Sequence, residues 1–202
     1  MRAPFSYSKN VEEFPIMALP EYPYIDVEDY LALDNTARSV RYEYIDGRLR
    51  MLAGGSPDHA ILAANLIATL NYALRGKPCI VYSADVHFQI SESRYVHPDV
   101  TVSCDPRDKH KKDNIQHPRI IVEVLSPTTE GIDRGEKLEY YLDFPTMEEY
   151  ILVGSQRKVV EVYHRDGDVW TSRVYKPNDV VYLKSIDLEI PFAEIYDKTS
   201  LE

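Results

Sequence analysis

The sequence has a shortage of basic residues and contains no long apolar run. There are 23 lysines and arginines against 33 aspartates and glutamates, so the formal net charge is −10 over 202 residues. This balance excludes a protein that coats nucleic acid with a generally basic surface. The apolar stretches are far shorter than the roughly 20 residues that a helix needs to cross a bilayer, so we expect no membrane span.

Secretion signals and cysteine frameworks are missing as well. The first eight residues lack the apolar core and the small-residue cleavage site of a secretory signal, so we expect a cytoplasmic protein.

Two cysteines, Cys79 and Cys104, lie 25 positions apart in apolar β-like runs. They form no C-x-x-C motif, and no second pair completes a zinc site. We interpret them as thiols in the core.

Glycine and phenylalanine are scarce, whereas tyrosine is abundant. The chain has 8 glycines, 5 phenylalanines and 16 tyrosines, which favours half-buried strands over low-complexity sequence. A length near 200 residues corresponds to about one domain. We therefore expect a proline-containing, irregular N-terminal arm over residues 1–24 and a single domain over residues 25–197.

The spacing of apolar residues predicts an α/β core followed by a β-rich tail. Predicted helices cover 26–34, 57–75 and 131–143, and predicted strands cover 41–45, 49–52, 79–83, 85–90, 95–103, 119–125, 150–153, 159–163, 169–175 and 180–183. Asp46 and Gly47 predict a tight hairpin because glycine accepts a positive φ. The helix over 57–75 is apolar on nearly every side, which predicts that it is packed between a sheet and other structure.

One carboxylate stands out within the run 119–125. Glu123 is the only acidic residue among five aliphatic side chains, in a strand that should be buried on both faces. An unpaired buried carboxylate costs several kcal/mol, so Glu123 should be protonated, paired with a basic residue or bound to a metal. A buried ion pair and a metal site are equally consistent with this run.

A second carboxylate favours the metal site. In the run 95–103, Asp99 shares a strand face with His97 and lies opposite a row of valines. If this strand is a neighbour of the strand that carries Glu123, the two carboxylates can meet. Hard cations such as Mg²⁺ bind one or two carboxylates together with water and phosphate oxygens.

The helix predicted over 131–143 adds a lysine. Asp133, Lys137 and Tyr141 are spaced by four residues, so they lie on one helix face. Lys137 could reach the two carboxylates and offset charge that develops on a phosphoryl group. The competing interpretation is an exposed Asp133–Lys137 pair, which would contribute about 0.2–0.5 kcal/mol.

The ordered series of these motifs resembles the Uma2-type family, also called DUF820, a branch of the PD-(D/E)XK nuclease superfamily. The matching segments run from Tyr42 to Gly47, Ser56 to His59, His97 to Val102, Val122 to Thr129 and Asp133 to Lys137, and include Tyr141. The resemblance covers about residues 26–195. It implies a restriction-endonuclease-like fold, a mixed central sheet flanked by helices with additional antiparallel strands.

The resemblance also implies an activity and a set of site residues. The family's activity would be phosphodiester hydrolysis of nucleic acid with Mg²⁺ or Mn²⁺. Asp99 matches the Pro-Asp motif, and Glu123 matches the Glu-x-Lys motif, in which Leu125 stands where lysine is usual. Lys137 is the replacement that this family branch suggests.

Three further positions follow from the same resemblance. Glu43 matches the family's leading acidic residue, a metal ligand or a base that positions water. The backbone carbonyl of Val124 is a further metal ligand. His59 either orients water or phosphate or has a capping or core role.

Two other functions and several partners stay open. A nuclease fold without turnover could serve as a binding or assembly module, and a homodimer is expected. A non-haem iron enzyme could use His97, Asp99 and His164, but it would need a jelly-roll barrel.

The substrate would be nucleic acid, with DNA favoured. The segment 107–119 has five basic and two acidic residues, and we expect it at the rim of the site.

Overall fold

The computed structural model describes residues 24–36, 40–52, 54–111 and 114–202. The arm predicted over 1–24 lies outside the described residues except for Tyr24, so the domain boundaries stay a prediction. The helices are α1 (Val27–Thr36), α2 (Pro57–Ala73), α3 (Glu130–Asp133), α4 (Glu136–Leu142) and α5 (Phe192–Ile195). The strands are β1 (Arg41–Ile45), β2 (Arg48–Leu52), β3 (Ile80–Ser83), β4 (His87–Ser91), β5 (Arg94–Val96), β6 (Val100–Ser103), β7 (Asn114–Ile115), β8 (Ile120–Leu125), β9 (Glu149–Gly154), β10 (Val160–Asp166), β11 (Val169–Tyr175), β12 (Val180–Leu183) and β13 (Leu188–Pro191).

The strands form a central sheet, a second sheet and a short ribbon. The central sheet has six strands in the order β11-β10-β9-β8-β6-β3, in which β8 and β9 are parallel and the other neighbours antiparallel. The second sheet has the order β2-β1-β5-β4-β7, and β12 pairs with β13. The mixed sheet with its helices confirms the predicted fold class.

The central strand β8 is buried on both faces, as its sequence predicts. Successive side chains of a strand point to opposite faces. Ile120, Val122 and Val124 pack in one core with α2 and α5. Ile121 and Leu125 pack in another core with the second sheet and α4. Glu123 therefore points toward α4 and the second sheet.

Helix α2 buries one face only. Its N-cap is Ser56, whose side chain accepts the backbone N–H of His59 at 3.2 Å. Leu62, Leu66 and Leu70 form the buried stripe, whereas Tyr72 is 74% exposed. The sheet covers the leucine stripe, and Asn65 donates to the Ile195 carbonyl of α5 at 3.0 Å, so α2 packs against a sheet and other structure as predicted, although the side with Tyr72 faces solvent. None of the helices in the described part of the chain has the length and apolar character needed to cross a membrane. The cytoplasmic location stays a prediction.

The hairpin forms as predicted and sets the register of β1 and β2. Asp46 and Gly47 have φ values of +48° and +84°, and Ile45 pairs with Arg48 across the turn. The same register places Glu43 opposite Arg50.

Several tyrosines of the second sheet and α1 belong to the core. The rings of Tyr30 and Tyr44 stack at 4.9 Å, and Tyr95 lies 5.5 Å from Tyr30. These contacts hold α1 against the second sheet. They account for part of the tyrosine content without a partner chain.

The run 95–103 is not one strand. It divides into β5 and β6, which belong to different sheets. Pro98 lies at the junction, and proline cannot donate to a strand ladder. The single strand predicted here is therefore wrong. Its consequence is that Asp99 lies where the chain crosses from the second sheet to the central sheet.

The helix predicted over 131–143 is also interrupted. Gly135 separates α3 from α4 and has φ −113° and ψ −99°, outside the helical region. Glycine has the lowest helix propensity after proline, which explains the break at this position.

The two cysteines form a disulfide rather than the expected pair of free thiols. Strands β3 and β6 are antiparallel, and the pairing of Ile80 with Ser103 brings the next positions, Cys79 and Cys104, face to face. The spacing of the cysteines in the sequence carries no information about this register, which depends on the strand order.

Reduction of the disulfide is expected to lower the free energy of unfolding by about 3 kcal/mol, the chain-entropy value for a loop of this length. The loop spans 25 positions. Urea unfolding with and without dithiothreitol measures the effect, and the Cys79→Ser/Cys104→Ser variant should not respond to the reductant. Equal midpoints for the oxidised and reduced wild type would contradict the expectation.

Candidate functional site

A cavity of about 890 Å³ lies where α2 begins, β5 gives way to β6, β8 ends and α3 meets α4. Its lining includes residues predicted from the sequence and one that was not assigned to the site. They are His59, Asp99, Glu123, Val124, Asp133 and Lys137.

Asp99 is held against the end of β8. Its Oδ2 atom accepts the backbone N–H of Val124 at 2.7 Å and lies 3.3 Å from His59 Nε2. The backbone pairing between β6 and β8 ends at Val100. Beyond it, the Asp99 carboxylate, rather than a backbone carbonyl, accepts the N–H of Val124 on β8. This hydrogen bond fixes the carboxylate beside Glu123.

Glu123 is the centre of the buried part of the site. Its Oε1 atom accepts from Lys137 Nζ at 3.0 Å and from the Tyr141 hydroxyl at 3.1 Å. Its Oε2 atom accepts the backbone N–H of Asp99 at 3.4 Å. The structure therefore brings Asp99, Glu123 and Lys137 together, although the strand and the helix that carry two of them are interrupted.

Lys137 is surrounded by three carboxylates. Its Nζ atom lies 2.7 Å from Glu43, 3.0 Å from Glu123 and 3.4 Å from Asp133. Asp133 and Lys137 are only 2% and 5% exposed, so the alternative of a surface ion pair is wrong. The four-residue spacing is as predicted, but the face that it defines is turned into the protein.

Glu43 lies beneath the cavity rather than in its lining. It is 1% exposed and accepts from Arg50 at 3.3 Å and from the backbone N–H of His97 at 3.3 Å, in addition to its contact with Lys137. Both of its oxygens are engaged by these donors. Its geometry favours a role in holding Lys137.

The charges of the cluster do not balance. Burial, together with the neighbouring carboxylates, raises the pKa of Glu123 well above its usual range, although Lys137 opposes this. Burial also raises the pKa of Asp133. The pKa of Glu43 is lowered, because Lys137 and Arg50 outweigh the effect of burial. Although burial opposes it, the same carboxylates raise the pKa of Lys137 and keep it charged.

The residues around Glu123 fit a divalent cation. Asp133 Oδ1 is buried with Lys137 Nζ 3.4 Å away and makes no hydrogen bond with any of the described residues. Burial, together with the nearby acids, raises the pKa of Glu123 although Lys137 opposes this. Carboxylate and carbonyl oxygens are the ligands that Mg²⁺ and Mn²⁺ prefer. Asp99, Glu123 and the carbonyl of Val124 offer such oxygens.

His59 contacts the site from the first turn of α2. Its hydrogen bond to Asp99 raises the pKa of the imidazole, burial opposes this, and the Val124 carbonyl adds to the increase. Capping of α2 is done by Ser56, so the His59 side chain is left for contacts within the cavity.

Sequence reasoning left three neighbours out of the site. The sequence places Asp133 and Tyr141 on one face with Lys137 without giving them a role, and it does not assign Arg50 to the site. The helical spacing could have identified the first two, and the two-residue hairpin could have identified Arg50, because its register pairs that residue with Glu43.

Other predicted contributors lie elsewhere. His164 is on β10 with Nδ1 3.5 Å from Glu149, so the structure does not bring it to His97 as the iron enzyme would need. The described residues of the basic segment 107–119 do not line the cavity. This segment joins the far ends of β6 and β8, at least about 10 Å along the strands from Asp99, so its expected place at the rim is wrong.

Comparison with known families gives one match over most of the chain. The Uma2 family, described as "Putative restriction endonuclease", matches residues 27–193. This range is close to the range over which the sequence motifs resemble the same family.

Two related proteins occur in Synechocystis sp. (strain ATCC 27184 / PCC 6803 / Kazusa). The protein slr1290 is 36% identical over 178 residues, which covers 87% of this chain and 93% of slr1290. The protein sll1609 is 31% identical over 145 residues, which covers 69% of this chain and 80% of sll1609.

A solved structure shares the fold. It is the crystal structure of "a putative nuclease belonging to DUF820" from Anabaena variabilis ATCC 29413, with a TM-score of 0.71 and 15% identity. The similarity covers 85% of this chain and 97% of that one.

Proposed function

This chain belongs to the Uma2 family, and we propose that it is a metal-dependent endonuclease that hydrolyses phosphodiester bonds of nucleic acid in the cavity between α2 and β8. The observation that carries the proposal is the meeting of Asp99 and Glu123 beside the buried ammonium of Lys137. These residues come from three separate segments. Burial of these charged groups lowers the stability of the protein, and apolar side chains of similar size would fill the same space without that cost. Such costly clusters of charged groups are typical of functional sites.

Asp99, Glu123 and the carbonyl of Val124 would hold the cation, either Mg²⁺ or Mn²⁺. When bound, it supplies Lewis-acid activation of water and of the scissile phosphate. Each side chain is already oriented within the protein. Asp99 is held by the Val124 amide and His59, and Glu123 is held by Lys137 and Tyr141.

Lys137 would stabilise negative charge on the phosphoryl oxygens and align the attacking water. A charged donor that is held in place before the reaction stabilises developing charge without reorganisation. Glu43 holds Lys137 from below through its 2.7 Å contact and thereby acts as a positioning residue. His59 would orient water or phosphate at the mouth of the cavity.

The substrate would be nucleic acid, with DNA favoured, and binding should depend strongly on the metal. The net charge of −10 repels phosphates, and the described part of the basic segment 107–119 lies away from the cavity. Affinity without metal is therefore expected to be weak. The homodimer expected from the sequence stays a prediction.

A non-catalytic binding or assembly module is the second candidate. It is favoured by the close ion pairing of Lys137, because three carboxylates already surround the ammonium group. A metal titration separates the two functions. Tight Mg²⁺ or Mn²⁺ binding that depends on Glu123 supports the nuclease, and absence of binding supports the module.

Cleavage of a nucleic-acid panel tests the proposal directly. The purified protein is expected to cut at least one of duplex DNA, single-stranded DNA, branched DNA or RNA when Mg²⁺ or Mn²⁺ is present, and to stop when EDTA is added. Asp99→Asn should lower the rate by about 100-fold or more, since loss of even an indirect metal contact costs about 10–100-fold. Cleavage by Asp99→Asn at the wild-type rate would overturn the assignment.

A further inference from the structure

A second group of potential metal ligands lies beside the same cavity, whose lining includes two of its three members, Asp34 and His97. Asp34 comes from α1, His87 begins β4, and His97 lies at the junction between β5 and β6. His87 Nδ1 is 3.3 Å from Asp34 Oδ2, and His97 Nε2 is 3.7 Å from Asp34 Oδ1. One ligand atom from each residue lies within 4.8 Å of the other two.

The orientation of His97 is that of a metal ligand. Its Nδ1 atom lies 2.9 Å from the carbonyl oxygen of Ala84, and a carbonyl can only accept, so Nδ1 carries the proton. In the neutral imidazole the lone pair is then on Nε2, which faces Asp34. His97 is 5% exposed, and Nε2 makes no hydrogen bond within the described ranges. A carbonyl that accepts from the other ring nitrogen in this way fixes the tautomer of metal-binding histidines.

We propose that Asp34, His87 and His97 bind a first-row transition ion such as Zn²⁺. Two imidazole nitrogens and one carboxylate oxygen are a ligand set for such ions, with one or more positions left for water. Bonds of about 2.0–2.1 Å in a tetrahedral site separate the ligand atoms by about 3.3 Å. The two imidazoles face different oxygens of Asp34, at 3.3 and 3.7 Å. With one ligand atom from each residue the group lies within 4.8 Å, so the atoms have to approach one another by no more than about 1.5 Å to enclose the ion.

This site differs in chemistry from the one at Asp99 and Glu123. The ligands proposed for that site are oxygen atoms, which suit Mg²⁺ or Mn²⁺, whereas nitrogen ligands favour Zn²⁺. The ion would join α1 to the junction that carries Asp99, which is two residues beyond His97. The proposal does not depend on nuclease activity.

Titration of the chelator-treated full chain with Co²⁺ and Zn²⁺ tests the proposal. In a large excess of Mg²⁺, which occupies the site at Asp99 and Glu123, one equivalent of Co²⁺ should still bind and give visible absorption bands of a site with nitrogen ligands. Zn²⁺ should displace this Co²⁺. His87→Gln and Asp34→Asn should each weaken binding by about 100-fold or more. Asp34→Asn preserves shape, so it remains informative if His87→Gln unfolds.

Two control variants locate the site. His117→Gln alters another histidine that is paired with an aspartate, Asp108, at 3.0 Å, and it should bind Co²⁺ as the wild type does. Glu123→Gln should also retain binding. Unchanged affinity in Asp34→Asn, or loss of Co²⁺ binding in Glu123→Gln, would overturn the proposal. A rise of the wild-type Tm with Zn²⁺ that is absent from Asp34→Asn would support it.

Discussion

Glu123→Gln is expected to abolish cleavage and to leave the metal-free protein at least as stable as the wild type. The raised pKa of Glu123 means that the carboxyl group tends to keep its proton when no cation is bound. Glutamine has nearly the same shape as the protonated acid, and its single oxygen can still accept from Lys137 and Tyr141 in place of Oε1. The 3.4 Å contact of Oε2 with the Asp99 N–H is lost, and removal of a buried carboxylate offsets that loss.

The pH dependence of stability has a definite sign. Between the usual glutamate pKa near 4.5 and the raised pKa in the folded state, the native protein binds more protons at Glu123 than the unfolded chain. The free energy of unfolding of the metal-free wild type should therefore fall as pH rises through this window. Glu123→Gln removes this contribution, so its stability curve should be flatter there.

Urea unfolding at a series of pH values, with and without Mg²⁺, measures both effects beside a cleavage assay. Mg²⁺ should stabilise the wild type and not the variant. Glu149→Gln is the matched control, because Glu149 is also buried but accepts from Lys184 and Ser185 away from the cavity. It should keep cleavage. An active Glu123→Gln variant would remove Glu123 from the catalytic site.

Lys137→Met should destabilise the protein by about 3–5 kcal/mol, the usual cost of removing one partner from a buried charge cluster. Glu43, Glu123 and Asp133 lie within 3.4 Å of the ammonium group and would lose their shared cation. Methionine fills a similar volume, so most of the loss comes from charge rather than from packing. Cleavage should be lost as well.

Chemical unfolding at two pH values distinguishes charge from packing. The loss in Lys137→Met should be smaller at pH 5 than at pH 8, because the stranded carboxylates can take up protons in the folded state at the lower pH. Lys184→Met is the control, since Lys184 is 51% exposed and pairs with Asp166 at 3.3 Å. It should change stability by less than about 1 kcal/mol. An equal loss in Lys137→Met at both pH values would assign the effect to packing.

Much of the local structure of the site could be predicted from the sequence. The Asp46-Gly47 turn gives the hairpin register, the aliphatic run around Glu123 indicates a strand buried on both faces, and the four-residue spacing puts Asp133 on the face of Lys137. Each of these depends on residues that are close along the chain. The sequence also contains Pro98 and Gly135, which interrupt the predicted strand and the predicted helix. Whether such a residue ends an element depends on the structure that surrounds it.

The sequence by itself therefore determined most of the elements, the face of those elements on which Glu123 and Lys137 lie, and the family. Only the tertiary structure decided which of these sides meet. Asp99 reaches Glu123 because the chain changes sheets at Pro98, and Cys79 meets Cys104 because β3 lies beside β6. Periodicity reports the orientation of a side chain within its own element. The distance between two elements depends on strand order and on packing, which are properties of the whole chain.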